Sequence, residues 1–552
     1  MEGMVVCSAN YVPLTPISFL ERAAFVYGQR VSMVFGDTRY LWKETHERCI
    51  RLASALSQLG ITSGDIVAAV APNTPELYEL QFGVPMTGAV LCALNPKLNA
   101  TTLAVKLQQL EAKAIFVDYE FTKVVLEALG SLSETKNNSP VLILIQENHT
   151  NASSATPINF RLDYHALLAT GKLDFDISYP KSECDPISIC YTSGSTSKPK
   201  GVIYSHRAAY LNSLGEIFRI GMRQKPVFLW TVDMFRCNGW CFPWTMAALG
   251  GTNICLRDVT GTAILNSIFL HDVTLFCGPP ILLSKIAETL AADPQPLPQK
   301  VDVIVAGAGA LPEPQIQTKL GELGFNIICA YGMSEALGPV TSRTIRRSCH
   351  GVTSQLDHED ARTRIREGTH NLIIEGADVK HPTTMESVPA DGKTVGQIMF
   401  RSNTLMSGYL KNAQATEEAF EGGWYRTKDL GVKHPDGYIQ MKDRAIDVIN
   451  SGGEIVSSLE IEGVIIRHPM VSEVAVVGRP DELLGETPCA FVKLKDGCCI
   501  VEEEIMDICA SHLPEHMRPK SVFFGELPVN STGKVQKFDL RDRLIKGDGK
   551  SL

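Results

Sequence analysis

No apolar run in this chain reaches the roughly twenty residues that a membrane-spanning helix needs. Positive charge is also in short supply. Lys and Arg number 52 against 61 Asp and Glu, a formal net charge of −9 with a pI near 5.9. That balance excludes a broad nucleic-acid surface. The fifteen cysteines form no Cys-x-x-Cys pair; Cys498 and Cys499 are adjacent and the rest are scattered. Neither a zinc module nor a disulfide scaffold is implied, and a reducing compartment fits. The opening Met-Glu-Gly-Met-Val-Val-Cys has no basic stretch ahead of a long apolar core. A secretory leader is therefore not expected, and the triplet Asn148-His149-Thr150 reads as chance. No Gly-Lys-Ser/Thr opens a helix, so a Walker A loop is excluded as well. A protein without membrane insertion, placed in the cytosol, is the expectation.

What is present is an ordinary globular composition, 44% hydrophobic and 20% charged, spread over 552 residues. That length exceeds one hydrophobic core, so two or more domains are expected. From Pro16 to Arg30, Ile17, Leu20 and Ala24 recur at helical spacing. Val31–Phe35 and Arg39–Trp42 flank Gly36-Asp37 as a hairpin would. Asp65–Ala71 reads as a buried strand, and Thr74-Pro75-Glu76 as a capped helix start. Leu103, Leu107 and Leu110 make a helical stripe before the strand-like Ala114–Asp118. Alternation of this kind predicts an α/β protein with a parallel, doubly covered sheet. The Ser- and Asn-rich stretches near Ser131–Pro140 and Gln146–Pro157, and the Arg-rich stretch between Ser342 and His370, read as surface segments.

The chemistry begins at Asp185–Ser205. An apolar strand, Ile187–Tyr191, opens into Thr192, Ser193, Gly194, Ser195, Thr196, Ser197, Lys198, Pro199 and Lys200. Hydroxyl donors, a glycine that admits close backbone approach and two ammonium groups suit a loop that cradles phosphate. Trp240, Phe242 and Trp244 crowd three large aromatics together, read either as core or as the wall of an apolar pocket. Val303–Ala310 is a strand ending in the small residues Ala306, Gly307 and Ala308. Tyr331-Gly332-Met333-Ser334-Glu335 follows another apolar strand, where a carboxylate is placed to hold Mg²⁺ beside phosphates. Trp424–Gly431, Asp443-Arg444, Ser451-Gly452-Gly453-Glu454 and Asn530–Lys534 complete the series, the last two in a compact, charged tail.

Together, in this order, these blocks resemble the adenylate-forming superfamily of acyl-CoA synthetases, luciferases and peptide-synthetase adenylation domains. Gly485–Phe491 and Asn238-Gly239-Trp240 look most like plant acyl-activating enzymes. The resemblance runs from about Phe19 to Arg541. It implies a large N-terminal domain of layered sheets and covering helices, residues 1–441, a hinge at 442–446, and a small mobile α+β domain at 447–552. It implies a carboxylic acid–CoA ligase using ATP, Mg²⁺ and coenzyme A, in which acyl-AMP and pyrophosphate form first and the thioester second. A small aromatic, branched or short- to medium-chain acid is the expected substrate, and a monomer or weak homo-oligomer the expected state. The alternatives are a nucleotide-binding relative with impaired turnover, or an adenylating enzyme with another acceptor. Peroxisomal import is the alternative address, since the chain ends Gly-Lys-Ser-Leu, a scrambled Ser-Lys-Leu.

Carried onto this chain, the resemblance gives Thr192–Gly201 the β- and γ-phosphates and Glu335 the Mg²⁺. Ala306, Gly307 and Ala308 would lie against adenine, with Tyr331 stacked on it and Gly332, Met333 and Ser334 alongside. Asp429 would take the ribose hydroxyls and Arg444 the ribose or phosphate. Ser451, Gly452 and Gly453 would join the nucleotide-binding set. Lys534 would bridge the attacking carboxylate and the nucleotide, a task of positioning and charge. Thr192, Glu335 and Lys534 are thus the expected catalytic residues. Four positions depart from the family pattern: Ser197, Lys428, Arg236 and Ile446. Lys428 would clash if its backbone needs positive φ, and Ile446 brings a stiff apolar side chain to the hinge.

Overall fold

The computed structural model describes residues 3–132, 139–146, 160–192, 199–223, 225–292, 295–306, 314–344, 369–529 and 535–546. Two large sheets are built from strands between Val31 and Tyr409. One has eight strands, in the order Gly408–Tyr409, Gly201–Ser205, Pro186–Tyr191, Val90–Leu94, Ile66–Val70, Ala114–Asp118, Val141–Ile145 and Leu162–Asp163. Val90–Leu94 and Ala114–Asp118 are buried at every residue, as strands covered on both faces by helices must be. The other sheet has nine strands, with Val301–Ala306 parallel to Phe325–Met333 and pairing Ala306 with Ala330. Past Met333 the chain reverses, and Gly338–Thr344 runs antiparallel to the strand it has just left.

The local reading of the sequence is explained by specific side chains. Thr74 accepts from the Leu77 N–H at the start of the Pro75–Gly83 helix, and proline at its first position needs no N–H of its own. Leu103, Leu107 and Leu110 form the buried stripe of Ala100–Leu110. The hairpin of Val31–Phe35 and Thr38–Leu41 ends one residue early. Trp42 instead opens a helix and is fully buried, its Nε1 donating to Gly251 O at 3.1 Å. The aromatic cluster divides: Phe242 and Trp244 are core, whereas Trp240 is only partly covered. A pocket wall of three aromatics is therefore corrected to one residue. Most of the Arg-rich stretch, and the central parts of the two Ser/Asn-rich segments, lie outside the described residues.

A four-stranded antiparallel sheet follows, Gly376–Lys380, Gly396–Arg401, Tyr425–Lys433 and Ile439–Arg444. The last region has its own five-stranded sheet, dominated by the long hairpin Val471–Asp481 and Gly485–Leu494. Helices Ser458–Ile465, Glu502–His512 and Lys537–Lys546 pack on it. Its apolar clusters, around Ile461, Val476 and Val492 and around Val477, Phe491 and Leu540, are separate from the large central core. Side chains from the nine-, four- and eight-stranded sheets meet through the Tyr331–Asp429 and Tyr409–Glu335 hydrogen bonds.

Candidate active site

Asp429 sits on Tyr425–Lys433, and strand pairing sets it opposite Arg444. The Tyr331 hydroxyl, at the end of the parallel strand Phe325–Met333, donates to Asp429 Oδ2 at 2.7 Å. Arg444 Nε stands 3.8 Å from Oδ1. The backbone N–H of Asp429 donates to Thr427 Oγ1 at 3.0 Å, and that hydroxyl donates to Ile398 O at 2.7 Å. Two sheets and one guanidinium thus fix a single, mostly buried carboxylate. Lys428 precedes it with φ +62, the positive value that sequence reasoning feared, yet its side chain is exposed and meets no clash.

Glu335 anchors a second cluster. The Tyr409 hydroxyl donates to Glu335 Oε1 at 2.9 Å, and Met406 N–H donates to its backbone carbonyl at 2.8 Å. The Lys200 ammonium lies 4.7 Å from the centre of the Tyr409 ring, a cation–π distance. Burial first, and then the Glu335 carboxylate, push the Tyr409 and Tyr425 phenols above their ordinary range, so both remain proton donors. Tyr204 Oη donates to Ser334 O at 2.6 Å, fixing the block from the phosphate-loop side. Gly332 cannot carry a side chain, because a Cβ there would sit 2.0 Å from Gly338 O. The ends of the phosphate loop are zipped together: Tyr191 pairs with Gly201, and Thr192 N–H donates to Lys200 O at 3.2 Å. Ala306 is at the end of its strand, three strands in from the sheet's antiparallel edge. Ser193, Gly194, Ser195, Thr196, Ser197, Lys198, Gly307, Ala308 and Lys534 lie outside the described residues.

Behind these groups is a left-handed backbone turn. Cys237, Asn238, Gly239, Trp240 and Cys241 all have positive φ, from 43° to 65°. Each non-glycine residue there costs of order 1–2 kcal/mol, so the turn must be held. Asn238 Nδ2 donates to Gln81 Oε1 at 2.7 Å and its Oδ1 accepts from Ser188 Oγ at 2.9 Å. Asn212 Nδ2 donates to Leu337 O at 2.7 Å beside Cys241 Sγ. A Cβ on Gly338 would lie 3.7 Å from Asn212 Nδ2 and 3.8 Å from Trp240, ordinary contact distances, so its φ of +127 rather than lack of space favours glycine there. Arg236, at the entrance to the turn, is held by Asp233 at 2.7 Å. Ser451-Gly452-Gly453 is a tight hairpin tip in the C-terminal sheet, with Gly452 N–H on Leu484 O at 2.8 Å. Its strand partners, Glu454 and Gly485, belong to the same C-terminal sheet.

Sequence reasoning missed Tyr204, Tyr409, Thr427 and the Asn238–Gln81 pair. Tyr409 had a signal, the Gly408-Tyr409-Leu410 block; the others act through contacts more than a hundred residues apart or through one hydroxyl, which no local pattern carries.

A carboxylate with one oxygen on a phenol, partly buried and flanked by a lysine, is a hard oxygen donor of the kind Mg²⁺ takes, so Glu335 fits that ion. Asp429, with two acceptor oxygens among fixed donors, fits a diol. No helix among the described residues is long and apolar enough to cross a membrane.

The AMP-binding enzyme model matches residues 20–410, and the model of the AMP-binding enzyme C-terminal domain matches 460–534. Probable acyl-activating enzyme 21 of Arabidopsis thaliana is 48% identical, over 98% of this chain and 97% of its own. Butyrate–CoA ligase AAE11, peroxisomal, of the same plant is 44% identical, over 98% and 95%. Acetate–CoA ligase CCL3 of Humulus lupulus is 44% identical, over 97% and 95%. Among solved structures, the anthranilate CoA ligase AuaEII in complex with anthranoyl-AMP superposes with a TM-score of 0.81 at 22% identity, over 99% of both chains. The o-succinylbenzoate CoA synthetase of Bacillus subtilis, with its acyl-adenylate, gives 0.80 at 21%, over 95% and 98%. At those identities the structures establish the fold, a large mixed α/β region followed by a smaller β-rich one. The chain belongs to the AMP-binding, adenylate-forming enzyme family, and its curated relatives there are acyl-activating enzymes and acid–CoA ligases.

Proposed function

We propose that this protein joins a small carboxylic acid to coenzyme A at the expense of ATP, through an acyl-AMP intermediate. The observation that carries this reading is the Asp429 cluster: a carboxylate bonded by Tyr331, four residues before Glu335, and faced by Arg444. Asp429 accepts the ribose hydroxyls, and Arg444 meets the nucleotide's negative charge. Lys200, with the loop before it, takes the β- and γ-phosphates. Mg²⁺, when bound at Glu335, neutralises phosphate charge. Lys534 fixes the line of attack of the acid's carboxylate on the α-phosphorus by lowering the repulsion between two anions.

Residues 1–441 act as the adenylating domain and 447–552 as the part that reorients about 442–446 before thioester formation. The partly covered Trp240, beside a turn packed with core aromatics, favours a confined acid, short, branched or small aromatic. Relatives named for butyrate, acetate and 2-methylpropanoate are in keeping with this. The cytosol is our placement, with the peroxisome as the alternative given two relatives named for it; a fluorescent fusion distinguishes them. A second reading, a nucleotide binder with weak turnover, is favoured by Arg236, whose guanidinium is committed to Asp233.

Pyrophosphate release over a panel of acids, with and without coenzyme A, tests both. Acid-dependent release with conversion to a thioester supports the ligase. ATP binding without release on any acid sinks it in favour of the second reading, and release that coenzyme A leaves unconverted points to another acceptor.

A further inference from the structure

Two cysteines that the proposed reaction does not use face each other beneath the active site. Cys190 is the penultimate residue of strand Pro186–Tyr191, two positions before Thr192. Cys237 opens the left-handed turn, with φ +47. The backbone N–H of Cys237 donates to Cys190 Sγ at 3.2 Å. With an N–Cα bond of about 1.5 Å, the Cys237 Cα is held within about 5 Å of that sulfur. Cys190 Sγ in turn reaches Phe235 O at 3.4 Å, two residues before Cys237. Cys237 Sγ also reaches Ser334 Oγ at 3.6 Å, one residue from Glu335. Both are nearly buried, Cys190 at 2% and Cys237 at 7% exposure, so bulky thiol reagents are excluded and a small oxidant is required.

We propose that Cys190 and Cys237 are a redox site: hydrogen peroxide joins them in a disulfide that reversibly switches off adenylate formation. The Cys190 sulfur attacks the peroxide oxygen, breaking the O–O bond and leaving a sulfenic acid and one water. The Cys237 sulfur then displaces the hydroxyl, which leaves as a second water with the Cys237 proton. Two thiols are oxidised, one peroxide is reduced to two waters, and a dithiol restores the start by exchange. Hydrogen bonds from Cys237 hold the Cys190 thiol below its ordinary range, which assigns it the attacking role. Switching off follows from position. A disulfide brings the sulfurs to about 2.05 Å, closer than two unlinked sulfurs by more than about 1 Å. Cys190 leads into the phosphate loop and Cys237 braces Ser334. A displacement of about 1 Å among such groups costs up to about 10²-fold in rate.

The consequence for turnover rests on the adenylating reading, but the bond itself is read without it. The full chain is treated with hydrogen peroxide, quenched in acid with an alkylating agent, and digested. The expected result is a Cys190–Cys237 linked peptide lighter by two hydrogens, a loss of at least about tenfold in acid-dependent pyrophosphate release, and recovery of both in dithiothreitol. Cys190→Ala and Cys190→Ser should keep basal release and resist peroxide; Cys237→Ala serves if neither folds. Absence of the linked peptide overturns the site, whatever the activity does. A linked peptide in fully active protein overturns the switch, as does equal peroxide loss in the Cys190 variants, which would assign the effect to exposed thiols such as Cys7, Cys184 or Cys499.

Discussion

Arg444 and Asp443 are adjacent on one strand yet belong to different halves of the molecule. Arg444 faces Asp429 and the nucleotide-side cluster. Asp443, on the opposite face as strand geometry requires, is buried and accepts from both the N–H and the Oγ of Ser458, at 2.6 and 2.7 Å. Ser458 is bonded in turn by Lys537, which also pairs with Glu462, and Asp447 pairs with Arg541. Polar contacts therefore pin the chain on both sides of residues 445 and 446. Between them Ile446 is 55% exposed and has no polar group to exchange. The contrast teaches that the two ends of the proposed pivot are specified by charge and its middle only by how much of Ile446 is covered.

The largest effect should come from Lys534→Ala, which lowers acyl-AMP formation at least about 10²-fold and leaves thioester formation from supplied acyl-AMP nearly intact. Equal losses in both half-reactions would remove Lys534 from its assigned role. Next, Asp429→Ala should raise the KM for ATP about tenfold to a hundredfold, as the loss of charged hydrogen bonds implies, with the KM for the acid little moved. A change confined to the acid would break the assignment. Ile446→Lys should speed thioester formation in a single turnover by up to about tenfold, the population shift that roughly 1.5 kcal/mol of unequal burial sets. Adenylation should hold within about twofold; slower thioesterification would show Ile446 to be neutral in the pivot. Smallest is Tyr331→Phe, which keeps the ring but frees one oxygen of Asp429, and should weaken ATP about fivefold. No change in ATP affinity would mean that Tyr331 contributes its ring alone.

Much of the fold was legible because it is local. The Thr74 cap, the Leu103–Leu110 stripe and the buried Ala114–Asp118 strand declare themselves in consecutive residues. The blocks around Glu335, Asp429 and Arg444 could be named from the sequence, but not their joining. Tyr331 meets Asp429 across 98 positions and Tyr409 meets Glu335 across 74, contacts that only sheet pairing creates. The aromatic run misled for the opposite reason. Trp240, Phe242 and Trp244 look alike in sequence, and the left-handed turn alone decides that two enter the core and one stays at its edge.

That turn also governs how substrate choice can drift. Trp240 has φ +54, so a replacement is judged by the backbone before the acid meets it. Asn, Asp and Gly enter this region readily, whereas Val and Ile do not. On the proposed reading, widening the acid's site by trimming Trp240 is therefore open to few residues. The range of acids accessible to descendants of this chain is limited by a dihedral angle as much as by a volume.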